Sequence, residues 1–203
     1  MIKPDLSHCN DIHEFYKEIK REQAAAHGEQ YLQHHKALHK CASTEGVEVI
    51  KEIGVCQGAT LAALLLTNPK KLIGIDINES WFRPYQHHFE NYAKENNIEF
   101  EYRKQNSHDA AGVEACDVLH IDSKHQAPHL AQELKLHAPH VRKFIVFHDT
   151  AHFKNANGLF VEIAKYITYK EQSWRVVDHY IHRVGYTVIE RVQRNEAVYN
   201  NLK

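Results

Sequence analysis

Glu48-Val49-Ile50-Lys51-Glu52-Ile53-Gly54-Val55-Cys56-Gln57-Gly58-Ala59-Thr60, running on to Leu72-Ile73-Gly74-Ile75-Asp76, decides the fold. Glu48 to Ile53 reads as a strand. Gly54 permits a tight turn after it, and Gly58 permits close approach of a ligand. A helix follows Gly58 and is stopped by Asn68-Pro69. Lys71 to Ile75 is a second strand, and its continuous apolar run suits a parallel sheet buried on both faces. Asp76 ends that strand with a carboxylate placed to accept hydrogen bonds from ribose hydroxyls. Together these pieces form a nucleotide-binding βαβ unit, which implies an adenosine-like cofactor.

The pattern continues outward from this unit. Residues 11–41 carry helical spacing at Ile12, Phe15, Ile19, Tyr31, Leu32 and Leu38, and Gly28 divides them into two amphipathic helices. Pro84 opens a helix whose buried stripe is Tyr85, Phe89, Tyr92 and Ala93. Ile98 to Tyr102 is a third strand alternating at Ile98, Phe100 and Tyr102. Asp117 to Ile121 is a fourth strand, Gln126 to Ala138 a helix, and Lys143 to Phe147 a fifth strand. A helix over Gly158 to Tyr169 turns Leu159, Ile163, Ala164 and Ile167 inward. Trp174 to His182 and Tyr186 to Val192 are joined by Arg183-Val184-Gly185, too short for a helical crossover. That last pair is therefore antiparallel. The chain is an α/β domain, residues 46–203, behind an N-terminal helical extension, residues 1–45.

The turn does not have dinucleotide spacing. GxGxxG needs glycine where Cys56 stands. A side chain there crowds the path of a pyrophosphate, and Glu52 adds negative charge beside the same turn. Both features disfavour a phosphate-rich ligand and favour a cationic one. S-adenosylmethionine carries a sulfonium and an ammonium and no phosphate.

With Glu52-Ile-Gly54-Val-Cys-Gln-Gly58 and Gly74-Ile-Asp76, the chain resembles the class I S-adenosylmethionine-dependent methyltransferases. The resemblance covers about residues 46–192. It implies a Rossmann-like, mostly parallel seven-stranded sheet with a C-terminal antiparallel hairpin. It implies that Glu52, Gly54 and Gly58 belong to the cofactor turn, which holds the methionine part. It also implies that Asp76 takes the ribose and that Ser107, after strand three, contacts adenine.

Ligands of open α/β sheets bind beyond the carboxyl ends of the strands. Strand four ends at Asp122-Ser123-Lys124-His125 and strand five at His148-Asp149-Thr150. Asp122, His125, His148 and Asp149 are expected to converge there as the catalytic group, with Asp122 also near the cofactor. These segments, and Gly185-Tyr-Thr-Val-Ile-Glu-Arg191, are similar to the cephalosporin-hydroxylase-like and sugar O-methyltransferases. That similarity implies methylation of a hydroxyl on a small molecule or sugar. Some relatives use a divalent cation such as Mg²⁺, for which Asp122 and Asp149 are the candidate ligands. His125 or His148 could act as base near neutral pH.

Composition narrows the alternatives. Formal net charge is −1, without the basic footprint of a nucleic-acid binder. The signature of amino-group DNA methylators is absent after strand four, where Ile121-Asp122-Ser123-Lys124 stands. Cys9, Cys41, Cys56 and Cys116 form no CxxC pair, which fits a reducing cytosol. Lys3-Pro4-Asp5 lead into no long apolar run, so a cytoplasmic protein without a membrane span is expected. The His34-His35 and His87-His88 doublets read as solvated helix faces. The N-terminal helices are candidates for a lid or a dimer contact. Remaining readings are a binding module without transferase activity, or a nucleic-acid or protein methyltransferase.

Overall fold

A computed structural model describes residues 4–151, 156–169 and 173–192. The last part of the expected domain, residues 193–203, lies outside the described residues. Two helices lead, α1 (Ile12–His27) and α2 (Gln33–Ala42), separated by Gly28 and a short 3₁₀ turn. The Asp11 carboxylate accepts from the N–H groups of His13 and Glu14 and so starts α1. The order is then β1 (Val49–Ile53), α3 (Ala59–Leu65), β2 (Lys71–Asp76), α4 (Gln86–Glu95), β3 (Glu99–Lys104), β4 (Cys116–Ile121) and α5 (Ala127–His137). It closes with β5 (Val141–His148), α6 (Ala156–Tyr169), β6 (Trp174–Tyr180) and β7 (Tyr186–Arg191). The seven strands form one sheet in the order β3-β2-β1-β4-β5-β7-β6. The first five are parallel; β7 runs antiparallel to both β5 and β6. The expected hairpin is therefore present. The order reverses between β1 and β4, so their carboxyl ends diverge into a crevice.

Each face of the sheet has its own core. On one, Leu6, Phe15, Ile19 and Leu38 pack with Leu61, Phe82 and Phe89 of the α3–α4 region. On the other, Leu130 and Leu134 of α5 and Leu159 and Ile163 of α6 pack on Ile53, Leu119 and Ile145. The segment from Leu6 to Ala42 thus shares a core with the βαβ unit. No helix among the described residues is long and apolar enough to cross a membrane.

Several expectations change in detail. Ala164 is exposed, so the inner face of α6 is narrower than its spacing predicts. Ile98 precedes β3, and Phe100 and Tyr102 are only half-buried because β3 is an edge strand. The sixth strand ends at Tyr180 rather than His182. The histidine doublets are not solvated: His34, His35 and His88 are buried, and only His87 is exposed. They are buried because the chain's N-terminal helices lie on the sheet rather than apart from it.

His35 shows how a histidine is accommodated there. Its Nδ1 lies 3.2 Å from the Tyr16 hydroxyl and its Nε2 lies 3.1 Å from Gln23 Oε1. One donor and one acceptor satisfy a neutral imidazole. Burial, then the nearby His148, push its pKa down to about 3. The folded protein keeps this group neutral while the unfolded chain protonates it below about pH 6.5. Its contribution to stability is complete above about pH 6.5 and is lost as pH falls toward 3. About 2 kcal/mol should go by pH 5, at about 1.4 kcal/mol per pH unit. Denaturant melts of wild type and His35→Gln at pH 7 and pH 5 check this. The variant should be weaker at pH 7 but less pH-sensitive, and parallel losses would contradict the assignment.

Candidate active site

The crevice at the β1–β4 divide opens into a cavity of about 1220 Å³. Gly54 stands at its base with φ +92°, a conformation that favours glycine. A Cβ there would lie 2.1 Å from the Asp122 backbone oxygen. The Gly54 N–H donates to Ile75 O at 2.8 Å, and the Asp122 N–H donates to Ile53 O at 2.8 Å. Backbone bonds thus bring the ends of β1, β2 and β4 together.

Asp76 lies on the cavity wall as expected. One carboxylate oxygen accepts from the Cys56 N–H at 2.7 Å, the other from the Asn78 N–H at 2.8 Å. Each oxygen keeps a lone pair, in an orientation the backbone fixes. Cys56 adopts φ +55°, which turns its N–H toward Asp76. Ser107 also lines the cavity, with its hydroxyl 3.3 Å from His129 Nε2.

Two residues of the expected cofactor turn face elsewhere. Glu52 is fully buried beneath the turn. Its carboxylate accepts from the Thr60 hydroxyl and lies 2.7 Å from His120 Nδ1. Strand alternation aims it at a sheet face, and burial, opposed by His120 and Thr60, raises its pKa. The charge expected from it at the cavity comes instead from Asp76, Asp122 and Asp149. Gly58 (φ +95°) is also absent from the cavity lining, and a Cβ there would press on the rings of Phe82 and Phe89 at 3.0–3.1 Å. Its smallness lets α3 seat on an aromatic cluster.

Asp122, His125, His148 and Asp149 converge as the strand ends predict. His125 bridges the two carboxylates, with Nε2 3.2 Å from Asp122 and Nδ1 2.7 Å from Asp149. His148 Nδ1 lies 3.1 Å from Asp122 and 3.7 Å from Asp149. Asp149 takes φ +57° at the end of β5, a region aspartate tolerates better than most residues. Burial works against the His125 charge, but hydrogen bonds to Asp122 and Asp149 outweigh it and raise the pKa to about 10. Burial likewise opposes charge on His148, and the Asp122 carboxylate raises it. Burial would raise the Asp122 pKa, but His148 and His125 hold it well below the carboxylate range. As arranged, both histidines favour the protonated form.

Some wall residues were not anticipated. Tyr31, His27, Arg183 and Val184 close one side. The Tyr31 ring stands edge-on to His148 at 5.8 Å, and the His34 ring lies 4.3 Å from His148. Burial, then Asp122 and Asp149, push the Tyr31 phenol up. Nothing in the N-terminal periodicity marks Tyr31 as a site residue, because it is brought there by packing at a distance in sequence.

Known proteins were compared with this fold and site. A family model described as a methyltransferase domain matches residues 51–150. No curated protein matches by sequence. An O-methyltransferase from Bacillus cereus, solved in complex with SAH, superimposes with TM-score 0.61 at 15% identity, covering 95% of this chain and 93% of that one. A methyltransferase from Geobacter sulfurreducens gives TM-score 0.64 at 11% identity, covering 95% and 93%. The ribosomal protein L11 methylase of Lactobacillus delbrueckii subsp. bulgaricus gives 0.58 at 14% identity, covering 81% and 79%. The class follows: an α/β domain whose cavity opens beside the carboxyl ends of β1 and β4. The methyltransferase domain matched over residues 51–150, carried on this fold, supports an S-adenosylmethionine-dependent methyltransferase.

Replacing Asp76 by Ala should weaken S-adenosylmethionine binding at least about tenfold, or about 1.4 kcal/mol. Calorimetry measures this, with a melting curve to verify folding. Unchanged affinity would remove Asp76 from the cofactor site.

Proposed function

We propose that this methyltransferase acts on a hydroxyl oxygen of a small molecule. The supporting observation is the junction of Asp122, His125 and Asp149 on the same cavity as Asp76. The cavity fits the cofactor chemically: three carboxylates line it, and the turn's backbone has no room for a side chain at Gly54. Asp76 would hold the ribose and Ser107 would lie near the adenine. Asp122 would stand close to the methionine end. When bound, S-adenosylmethionine supplies an electrophilic methyl group on a sulfonium.

The chain's own residues orient the acceptor. The Asp149 carboxylate can accept the hydroxyl hydrogen bond and point the oxygen into the cavity. His125 is half-buried and reaches the cavity, and its protonated ring holds the two carboxylates it bridges in place for the acceptor. His148 is buried under His34 and Tyr31, so it positions the carboxylates rather than meeting the acceptor. Tyr31, His27 and Arg183 form the wall where the acceptor would lie, which gives the N-terminal segment a role in acceptor selection.

A divalent cation fits the same carboxylates. Donor atoms of Asp122, His148 and Asp149 lie within 4.8 Å of one another. Binding would displace the His148 proton, and two carboxylates with a neutral imidazole suit Mn²⁺ better than Mg²⁺, which prefers oxygen throughout. Such an ion would supply Lewis acidity and lower the pKa of the acceptor hydroxyl.

Release of S-adenosylhomocysteine across a panel of catechols, sugars and hydroxy acids tests the reading. With any active acceptor, Asp149→Asn should lose about 100-fold in turnover while cofactor affinity changes less than about threefold. Product must carry the methyl on oxygen; methylation of nitrogen, or equal turnover in the variant, would refute it. In protein dialysed against chelator, Mn²⁺ should restore more activity than Mg²⁺.

A further inference from the structure

A second group of ligand-type side chains shares no residue with the Asp122–Asp149 cluster. His129 and Glu133 lie one turn apart on the same face of α5. His129 Nε2 is 3.2 Å from Glu133 Oε1 and 3.3 Å from the Ser107 hydroxyl. His108 enters from the loop after β3, its ring 4.0 Å from the His129 ring. His108 Nε2 is 3.3 Å from the His129 backbone oxygen. Donation of Nε2–H to that oxygen leaves a lone pair on Nδ1. One donor atom from each of His108, His129 and Glu133 lies within 4.8 Å of the other two.

Glu133 gives the independent sign of a ligand. Its side chain is completely buried. Oε1 accepts from the Ser123 hydroxyl at 2.7 Å, while Oε2 has no hydrogen-bond partner. Among the described residues, no lysine or arginine forms an ion pair with it. A buried carboxylate is stable when paired with a cation or a metal and costly otherwise.

We propose that His108, His129 and Glu133 bind a divalent transition-metal ion of the Zn²⁺ class. Two imidazole nitrogens and one carboxylate make three protein ligands and leave a fourth position open. Imidazole donors select such ions over Mg²⁺ and Ca²⁺. Ser123 holds the carboxylate from behind, as outer-shell partners of metal ligands do. The ion ties the loop carrying Ser107 to the first turns of α5, and so fixes one wall of the cavity. The inference does not depend on which acceptor is methylated.

The test uses the full, tag-free chain, dialysed against chelator and titrated with Zn²⁺ by calorimetry and with Co²⁺ by visible absorption. The Asp122→Asn, Asp149→Asn double variant, which removes the carboxylates of the first cluster, should still bind one equivalent, and so should that variant with the surface control His87→Ala added. His108→Ala and His129→Ala should each weaken it at least about tenfold and abolish the Co²⁺ bands of a low-coordinate site. His108 is a half-buried loop residue, so His108→Ala keeps the readout open if Glu133→Gln fails to fold. Absence of binding in wild type, affinity unchanged by both histidine variants, or loss only in the aspartate double variant would each overturn the proposal.

Discussion

The contact between Gly54 and the Asp122 backbone is the constraint on which the site depends. The distance from a hypothetical Cβ to the Asp122 oxygen, 2.1 Å, leaves no room for a side chain at residue 54. The turn therefore lies directly against the end of β4. Asp122 starts the segment that carries His125, and the β4–β5 pairing sets Asp149 beside it. The Gly54 turn and the Asp122–Asp149 group share one cavity because two backbones touch. A side chain at residue 54 would force this backbone apart and separate Asp76 from Asp122. No rearrangement of side chains elsewhere could restore that spacing.

The histidines around this junction are divided by their surroundings. His148 and His34 are ring neighbours 4.3 Å apart, yet their pKa values move in opposite directions. Burial opposes charge on both. For His148, Asp122 reverses that effect; for His34 no carboxylate does, and the positive tendency of His148 adds to the penalty. Charge is thus favoured on one imidazole and disfavoured on its neighbour.

The fold was legible because its signals are local. Glycines with positive φ, an apolar strand and a terminal carboxylate occur within residues 48–76. The short link before Tyr186 compelled an antiparallel pair. The convergence of Asp122, His125, His148 and Asp149 was legible for a topological reason: adjacent parallel strands end on the same side. Directions of individual side chains were less accessible. Glu52 follows strand alternation into the interior, although its sequence position lies two residues from Gly54. Gly58 serves the ring packing of Phe82 and Phe89, residues that no turn motif names. Tyr31, Arg183 and the buried histidine doublet at 34–35 depend on which helix face meets the sheet. That choice is made by the joint packing of Leu6, Phe15 and Leu38 with the α3–α4 region. Periodicity within α2 alone does not contain it.

Ligand preference follows from where charge is left uncompensated. Asp76 is fixed by two backbone N–H groups, which orient its oxygens but bring no counter-charge. His125 bridges the other two carboxylates and partly neutralises them. The cavity therefore keeps more uncompensated carboxylate at the Asp76 side than at the Asp122–Asp149 side, where the His125 imidazole bridges the acids. Ile77 and Trp81 lie on the same wall, exposed by 67% and 44%. Apolar surface of that size gains by being covered, and a purine ring supplies a flat apolar face. A ligand with a purine, ribose hydroxyls and a positive centre satisfies all three regions together. A pyrophosphate would set its charge against Asp122 and crowd the Cys56 side chain, so the same geometry that admits a sulfonium nucleoside rejects a dinucleotide.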